Sequence, residues 1–227
     1  MSTITYSGVS SDTLGIMVNQ IIVPPSSVEE YEMIKIPGRP EPLRSNLKTR
    51  PPIQIEVEAT IVEDNVLRQI YSTFQGTGKL IRSTEPDKYY NASAQVITPE
   101  NIARYMHKIT LGFECMPFAY AVSNDPVELE ISGSAATIDV GGGYYCQPIY
   151  KIYGSGDITL SVNGASPITL YNVDGYVTVD TALMMCHKNG LHVKSSGKLP
   201  FLSPGTNMLS WSSNVTAVEV IKNERWL

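Results

Sequence analysis

The chain reads DITLSVNGASPITLYNVDGYVTVD from Asp157 to Asp180, and this stretch decides the fold of its C-terminal half. Three short runs rich in β-branched residues are separated by Asn163-Gly164 and Asp174-Gly175. Both dipeptides tolerate the positive φ angles of tight two-residue hairpin turns. The stretch therefore predicts a three-stranded antiparallel meander. It carries no cluster of titratable side chains, which favours a scaffold or recognition surface over an active site.

The composition of the whole chain argues against a nucleic-acid-binding protein and against a membrane protein. Charged residues make up 17% of the 227 residues, below the average of about 25% for soluble domains. The net charge of −5 and scattered Lys and Arg argue against nucleic-acid binding. The N-terminus has no basic and apolar signal segment, and no apolar run approaches the roughly 20 residues of a membrane helix. We expect synthesis in a cytoplasm without a signal peptide and without membrane insertion.

Two long alternating strands organise the N-terminal half. Apolar side chains recur at every second position from Ile53 to Ile61, with an acidic face opposite. The same alternation runs from Tyr105 to Cys115. One short helix is predicted at about 64–75, capped by Asp64 and ended by Gly76.

The fold class is therefore predicted to be mostly β, with two domains. Residues 1–122 form a β-barrel or sheet domain with the helix, and the polar segment that follows marks a boundary. Residues 123–215 have strands every 8 to 12 residues, which is typical of an antiparallel β-sandwich. The apolar end of the tail, residues 216–227, is expected to dock on something, such as the first domain.

Few residues have the pattern of a catalytic or metal site. Cys186, His187 and His192 lack the further ligand of a structural zinc site, and three cysteines in all suggest free buried thiols. The acidic pairs Glu56/Glu58 and Glu128/Glu130 have a spacing that glycoside hydrolysis tolerates, but so has almost any acidic strand. We predict no catalytic residue, metal or cofactor, and a hydrolase is the least favoured reading.

Aromatic residues support a second reading as a carbohydrate-binding module. Tyr144, Tyr145 and Trp211 could form a stacking platform for a cell-wall saccharide if they are exposed. Tyrosine and tryptophan are also common in β cores, and the core reading is preferred.

Several motifs in order along the chain resemble one family. They are Ile36-Pro37-Gly38-Arg39, then Phe113-x-Cys115-x-Pro117-Phe118-x-Tyr120, then Gly154-x-Gly156-Asp157 running to Asn163-Gly164, and finally Pro204-Gly205-x-Asn207 running to Trp211. Together they resemble the distal tail protein (Dit) family of phages with non-contractile tails, a tail-tip hub component. The chain departs from the commoner loop pattern of that family in having Pro40 and Glu41 after Arg39.

The resemblance implies a structural role in the virion, at the tail tip. Its N-terminal domain would form a hexameric ring, single or stacked as a double ring, and a galectin-like β-sandwich would project outward. The ring would connect the tail tube protein and tape-measure protein to the tail hub or tail-associated lysin, and to receptor-binding proteins. The sandwich lacks the His-x-Asn-x-Arg signature of galectins, so sugar binding is not carried over.

A ring of identical copies needs one face of each copy to meet a different face of the next. We expect the ring wall on the polar faces of the two long strands, near residues 54–60 and 105–114. The predicted interface residues are Gln54, Glu56, Glu58, Thr60, Met106, Lys108 and Thr110, with motif loops at Pro37, Gly38, Arg39, Pro117, Phe118 and Tyr120. The acidic face could instead line the lumen of the ring.

Overall fold

The computed structural model of the chain describes residues 2–62, 66–96, 99–103, 106–129 and 133–227. Asp64, Tyr105 and Glu130, which were named above, lie outside the described residues. The chain divides into two compact units, residues 1–122 with Leu227 and residues 123–226. Both are built of antiparallel strands, and one α-helix occurs among the described residues, so the predicted mostly β class is confirmed.

The first unit contains ten strands, one α-helix and a short 3-10 helix at Asp12–Leu14. The strands are β1 Ile4–Tyr6, β2 Val9–Ser10, β3 Ile16–Ile22, β4 Tyr31–Ile34, β5 Leu43–Asn46, β6 Ile53–Ile61, β7 Thr77–Arg82, β8 Glu85–Val96, β9 Glu100–Ala103 and β10 Met106–Ala121. The helix α1 spans Val66–Thr73, within the predicted range, and Gly76 follows it with a φ of 68°.

A closed barrel forms the body of the first unit. Its strands follow the order β1-β7-β8-β10-β6-β3, and a bridge between Ser2 and Val18 joins the last strand to the first. The alternation predicted for β6 and β10 is confirmed, because their apolar positions point inward and are buried. The interior is filled by Ile4, Tyr6, Ile16, Val18, Ile55, Val57, Ala59, Ile61, Leu80, Tyr90, Ala92, Ala94, Ile109, Leu111, Phe113 and Cys115.

The helix contributes its apolar side to this core. Ile70 and Phe74 are buried, and the Phe74 ring lies 5.7 Å from the Tyr6 ring and 6.0 Å from the Phe113 ring. Tyr6 and Phe113 are 5.5 Å apart, so three aromatic rings meet in one cluster. A helix of eight residues is marginal alone, and this contact explains why it forms.

A hairpin arm interrupts the barrel between β3 and β6. The arm, residues 30–47, consists of β4, β5 and the loop between them, and β4 pairs with β5 alone. Its base is fixed where Glu30 N–H donates to Thr49 O at 2.9 Å and Leu47 N–H donates to Glu30 O at 3.0 Å.

Nine strands of the second unit form two layers. They are β11 Val127–Leu129, β12 Ala135–Val140, β13 Ile149–Val162, β14 Ile168–Asp180, β15 Met185–Lys188, β16 Leu191–His192, β17 Ser195–Gly197, β18 Gly205–Trp211 and β19 Val215–Ile221. A short strand, β20 Arg225–Trp226, follows them in the chain. One layer has the order β11-β19-β13-β14-β15-β16, and the other has β12-β18-β13-β14-β17. The long strands β13 and β14 pass from one layer to the other, as in sandwiches whose strands switch sheets at a bend.

The turn at Asn163-Gly164 is confirmed, since both residues have positive φ, 51° and 68°. The turn predicted at Asp174-Gly175 is wrong, because β14 continues through it and Gly175 pairs with Gly154 of β13. Positive φ angles at Asn172 and Gly175 bend β14 without reversing it, and β13 bends with it at Gly156. The predicted meander is therefore one hairpin of two long bent strands.

The last long strand of the second unit, β19, extends past residue 215, the predicted end of the sandwich. β19 pairs with β11 and β13, and its residues Val215, Val218 and Val220 are buried in the core. The return of the remaining tail to the first domain stays a prediction.

Candidate functional site

The seven predicted interface residues lie together on the outside of the barrel. β6 and β10 are neighbours, with Glu58 opposite Thr110 and Thr60 opposite Lys108. Because the alternate positions of both strands point into the barrel, Gln54, Glu56 and Met106 point away from it and are exposed. We call this surface, with the adjoining residues of β3, the outer face. Its role in a ring interface stays a prediction.

Negative charge dominates the outer face. Lys108 Nζ lies 2.9 Å from Glu58 Oε2 and neutralises it, and Asn19 donates to the Thr60 hydroxyl at 2.8 Å. Glu56 and Glu114 are exposed, and within the described part of the chain neither has an ion-pair partner. Glu56 and Glu58, the acidic pair considered above for glycoside hydrolysis, therefore lie on an open sheet surface. The Glu58 carboxylate is ion-paired and, among the described residues, the Glu56 carboxylate is not.

Exposed apolar side chains border these carboxylates. Met17 and Ile22 of β3 are 44% and 40% exposed, and Met106 of β10 is 39% exposed. A surface that mixes apolar side chains with uncompensated charge is suited to protein contact rather than to chemistry.

A groove of about 550 Å³ continues the outer face beyond β10. Pro52 and Met116 line its apolar side, and Glu114 lies on its rim. The groove occurs where the pairing of β10 with β8 shifts register between Cys115 and Ala119. Burial raises the pKa of the Cys115 thiol in its floor to about 12, so this thiol is neutral at physiological pH.

One of the two motif loops lies at the tip of the arm, and the other lies within β10. Pro37, Gly38 and Arg39 form the tip of the arm, where Gly38 has a φ of 81° and Arg39 N–H donates to Ile36 O at 3.1 Å. Pro117 and Phe118 lie in the irregular segment of β10. Tyr120 follows it and stacks on Tyr89 at 5.8 Å.

A network of side chains stiffens the base of the arm. Asn46 donates to a Glu29 carboxylate oxygen at 2.8 Å, and Arg50 lies 3.3 Å from the other. The Asn46 hydrogen bond first, and the Arg50 charge second, hold the pKa of Glu29 below its ordinary value. Ser27 donates to Pro51 O at 2.7 Å across the same base. The arm is therefore attached firmly although the rest of it is exposed.

The saccharide platform is not assembled as predicted. Trp211 is only 5% exposed, because it points into the sandwich core from β18 beside Leu209. Tyr144 and Tyr145 do form a pair, with ring centroids 4.6 Å apart, and the Arg225 guanidinium lies 4.4 Å from the Tyr145 centroid. Trp211 therefore cannot stack on a sugar, so the alternative platform that includes it is wrong and the preferred core position of this residue is confirmed.

The cysteine and histidine residues considered above for a metal or catalytic site do not come together in the structure. Cys186 is buried, whereas His187 and His192 face each other across β15 and β16 on the other side of the strand. Burial raises the pKa of the Cys146 and Cys186 thiols. Among the residues that the structure describes, no group of three or more His, Cys, Asp or Glu side chains could hold a metal ion. In the same residues, no helix is long and apolar enough to cross a membrane.

The sequence did not predict β5 or the groove. Leu43, Arg44 and their neighbours have little β propensity, so β5 gave no strand signal. The groove depends on a register shift, which the alternation of β10 does not reveal.

Comparisons with known proteins agree with this architecture. Residues 12–115 match the family model of the phage tail protein RIFT-related domain. The chain also has the fold of the SPP1 Dit (gp 19.1) protein, whose crystal structure is described as a paradigm of hub adsorption apparatus in Gram-positive infecting phages. That match has a TM-score of 0.79 and 15% sequence identity, and it covers 100% of both chains. A search of curated proteins found no match.

Residues 12–115, a little under half of the chain, are thus similar to the phage tail protein RIFT-related domain. The fold of the whole chain is that of a Dit protein. Both comparisons agree with the resemblance to siphophage distal tail proteins that was drawn above from sequence motifs.

Proposed function

We propose that the protein is a structural component of the phage tail tip whose copies assemble into a hexameric ring, without catalytic activity. The observation that carries this proposal is the Dit fold over the full length, together with the phage tail domain in residues 12–115. The ring connects the tail tube to the tail hub and to the host-attachment apparatus. Its partners are other copies of itself, the tail tube and tape-measure proteins, the hub or lysin, and a receptor-binding protein.

The surface of the chain leaves ample room for these contacts. The monomer exposes 12807 Å². Two ring contacts of standard size would cover about 800 Å² each on one subunit, roughly an eighth of that surface. The outer face and the arm both offer exposed apolar side chains next to charge, and they are different surfaces, as a heterologous contact requires.

Light scattering coupled to size-exclusion chromatography tests the proposal most simply. Across a concentration series, we expect a species of about six times the 24.9 kDa chain mass, or twelve times if two rings stack. A mass that stays at one chain throughout the series would contradict the proposal. Hydrolysis of cell-wall polysaccharide by the purified protein would contradict the absence of catalysis.

A further inference from the structure

The arm exposes both of its faces. Every residue from Glu30 to Arg44 is exposed, and the two strands pair with each other alone. A two-stranded hairpin by itself is marginally stable in water. Six large apolar side chains of the arm are each 39–53% exposed, namely Tyr31, Met33, Ile34, Ile36, Leu43 and Leu47. Such a concentration of apolar surface marks an interaction site.

The distal part of the arm is basic. Lys35, Arg39 and Arg44 lie at or near the tip, against the single carboxylate of Glu41 in the loop. Lys35 and Arg39 have no ion-pair partner within the described ranges. The Arg44 guanidinium lies 3.5 Å from the centroid of the Tyr31 ring, which holds this cation on the surface of the arm.

The outer face has the complementary character. Its unpaired carboxylates are Glu56 and Glu114, and exposed Met17 and Ile22 and the groove beside Met116 offer apolar contact. The arm does not cover the outer face of its own barrel, since every residue from Glu30 to Arg44 is exposed. The occupant that fits is therefore the same surface on another copy.

We propose that the arm of each copy docks on the outer face of the next copy and forms the ring contact. Arg39 and Lys35 would approach Glu56 and Glu114, and apolar side chains of the arm would cover Ile22 and enter the groove. Because donor and acceptor surfaces differ, each copy can use its arm on one neighbour and its outer face on the other. This inference rests on the proposed ring and names its contact. It excludes the reading in which the acidic face lines the lumen.

Charge reversal provides the first test, read by sedimentation velocity over a concentration series of the full chain. We expect Arg39→Glu alone, and Glu56→Arg alone, to raise the midpoint concentration of assembly about tenfold or more. The double variant R39E/E56R restores opposite charges at every contact, so its midpoint should return close to that of the unaltered chain. The matched control is Glu128→Arg, an exposed glutamate of the second unit, which should change nothing.

Cross-linking provides a second test that does not depend on affinity. The three native cysteines are buried, so a short bis-maleimide should react with introduced cysteines first. A chain with Arg39→Cys and Glu56→Cys should give a ladder of covalent oligomers on denaturing gels. A chain with Arg39→Cys and Glu128→Cys should stay monomeric on the same gels.

The outcomes separate the two proposals. If the unaltered chain is monomeric at every concentration, the ring itself is wrong. If the unaltered chain forms oligomers but the single reversals assemble normally, or the double variant is not restored, the ring stands and the arm contact is wrong. In that case a different tail protein covers the arm. Oligomers without cross-linking between positions 39 and 56 would overturn the contact in the same way.

Discussion

Replacement of Trp211 by alanine distinguishes most sharply between a core residue and a sugar platform. Trp211 is 5% exposed and lies in β18, with Leu160 of β13 opposite it. A buried tryptophan removes about 150–250 Å² from water, which at about 25 cal/mol per Å² corresponds to roughly 4–6 kcal/mol. Large-to-small changes in protein cores cost about 3–5 kcal/mol. We therefore expect Trp211→Ala to lower the free energy of unfolding of the second unit by about 3–5 kcal/mol.

Urea unfolding followed by circular dichroism measures this change. Trp211→Phe keeps an apolar ring in the core and should lose clearly less stability than Trp211→Ala. Tyr145→Ala removes a ring that is 44% exposed, so its effect should be within about 1 kcal/mol. A Trp211→Ala variant as stable as the unaltered chain would refute the placement of this residue in the core.

Three further predictions concern packing and burial. Phe74→Ala should destabilise the barrel by about 3–5 kcal/mol in urea unfolding, whereas exposed Tyr71→Ala should not; equal effects would contradict the aromatic cluster. A methyl group at Gly154 would lie 2.5 Å from Asn214 O, so Gly154→Ala should lower the melting temperature, unlike Gly133→Ala. Burial raises the pKa of the Cys115 thiol to about 12, whereas a cysteine in the unfolded chain has a pKa near 8.5. The folded chain therefore keeps a proton that the unfolded chain loses, and the free energy of unfolding should fall as the pH rises between these two values. In Cys115→Ala, the free energy of unfolding should fall less steeply over the same pH range.

The strands that shape the barrel were predictable because their physical signal is local. Side chains alternate between the interior and water along β6 and β10, so the period of two in the sequence is a direct record of burial. The helix was predictable for the same reason, since Ile70 and Phe74 recur on one side. The bridge between Ser2 and Val18 that closes the barrel joins residues far apart in the sequence, so no local pattern predicts it.

The Asp174-Gly175 dipeptide predicted a hairpin turn, but in the structure it lies in a bend of β14. Asp-Gly has the same backbone preference in a hairpin turn and in a bent strand, and the partner strand decides between them. Here Gly154 and Gly156 of β13 let both strands bend together, and the hydrogen bonding continues on each side.

The candidate surface was predicted in part. The polar positions of β6 and β10 were expected to share one side, and the pairing of Glu58 with Thr110 confirms that they do. The pairing of β4 with β5 into an arm was not predicted, because β5, Leu43–Asn46, has no clear strand pattern in the sequence.

Imaging of the purified chain by electron microscopy tests the central claim most directly. Two-dimensional class averages should show closed rings with six-fold rotational symmetry, as expected if the copies use two different surfaces and the rotation closes. Averages that show single chains, or open filaments that never close, would contradict the account.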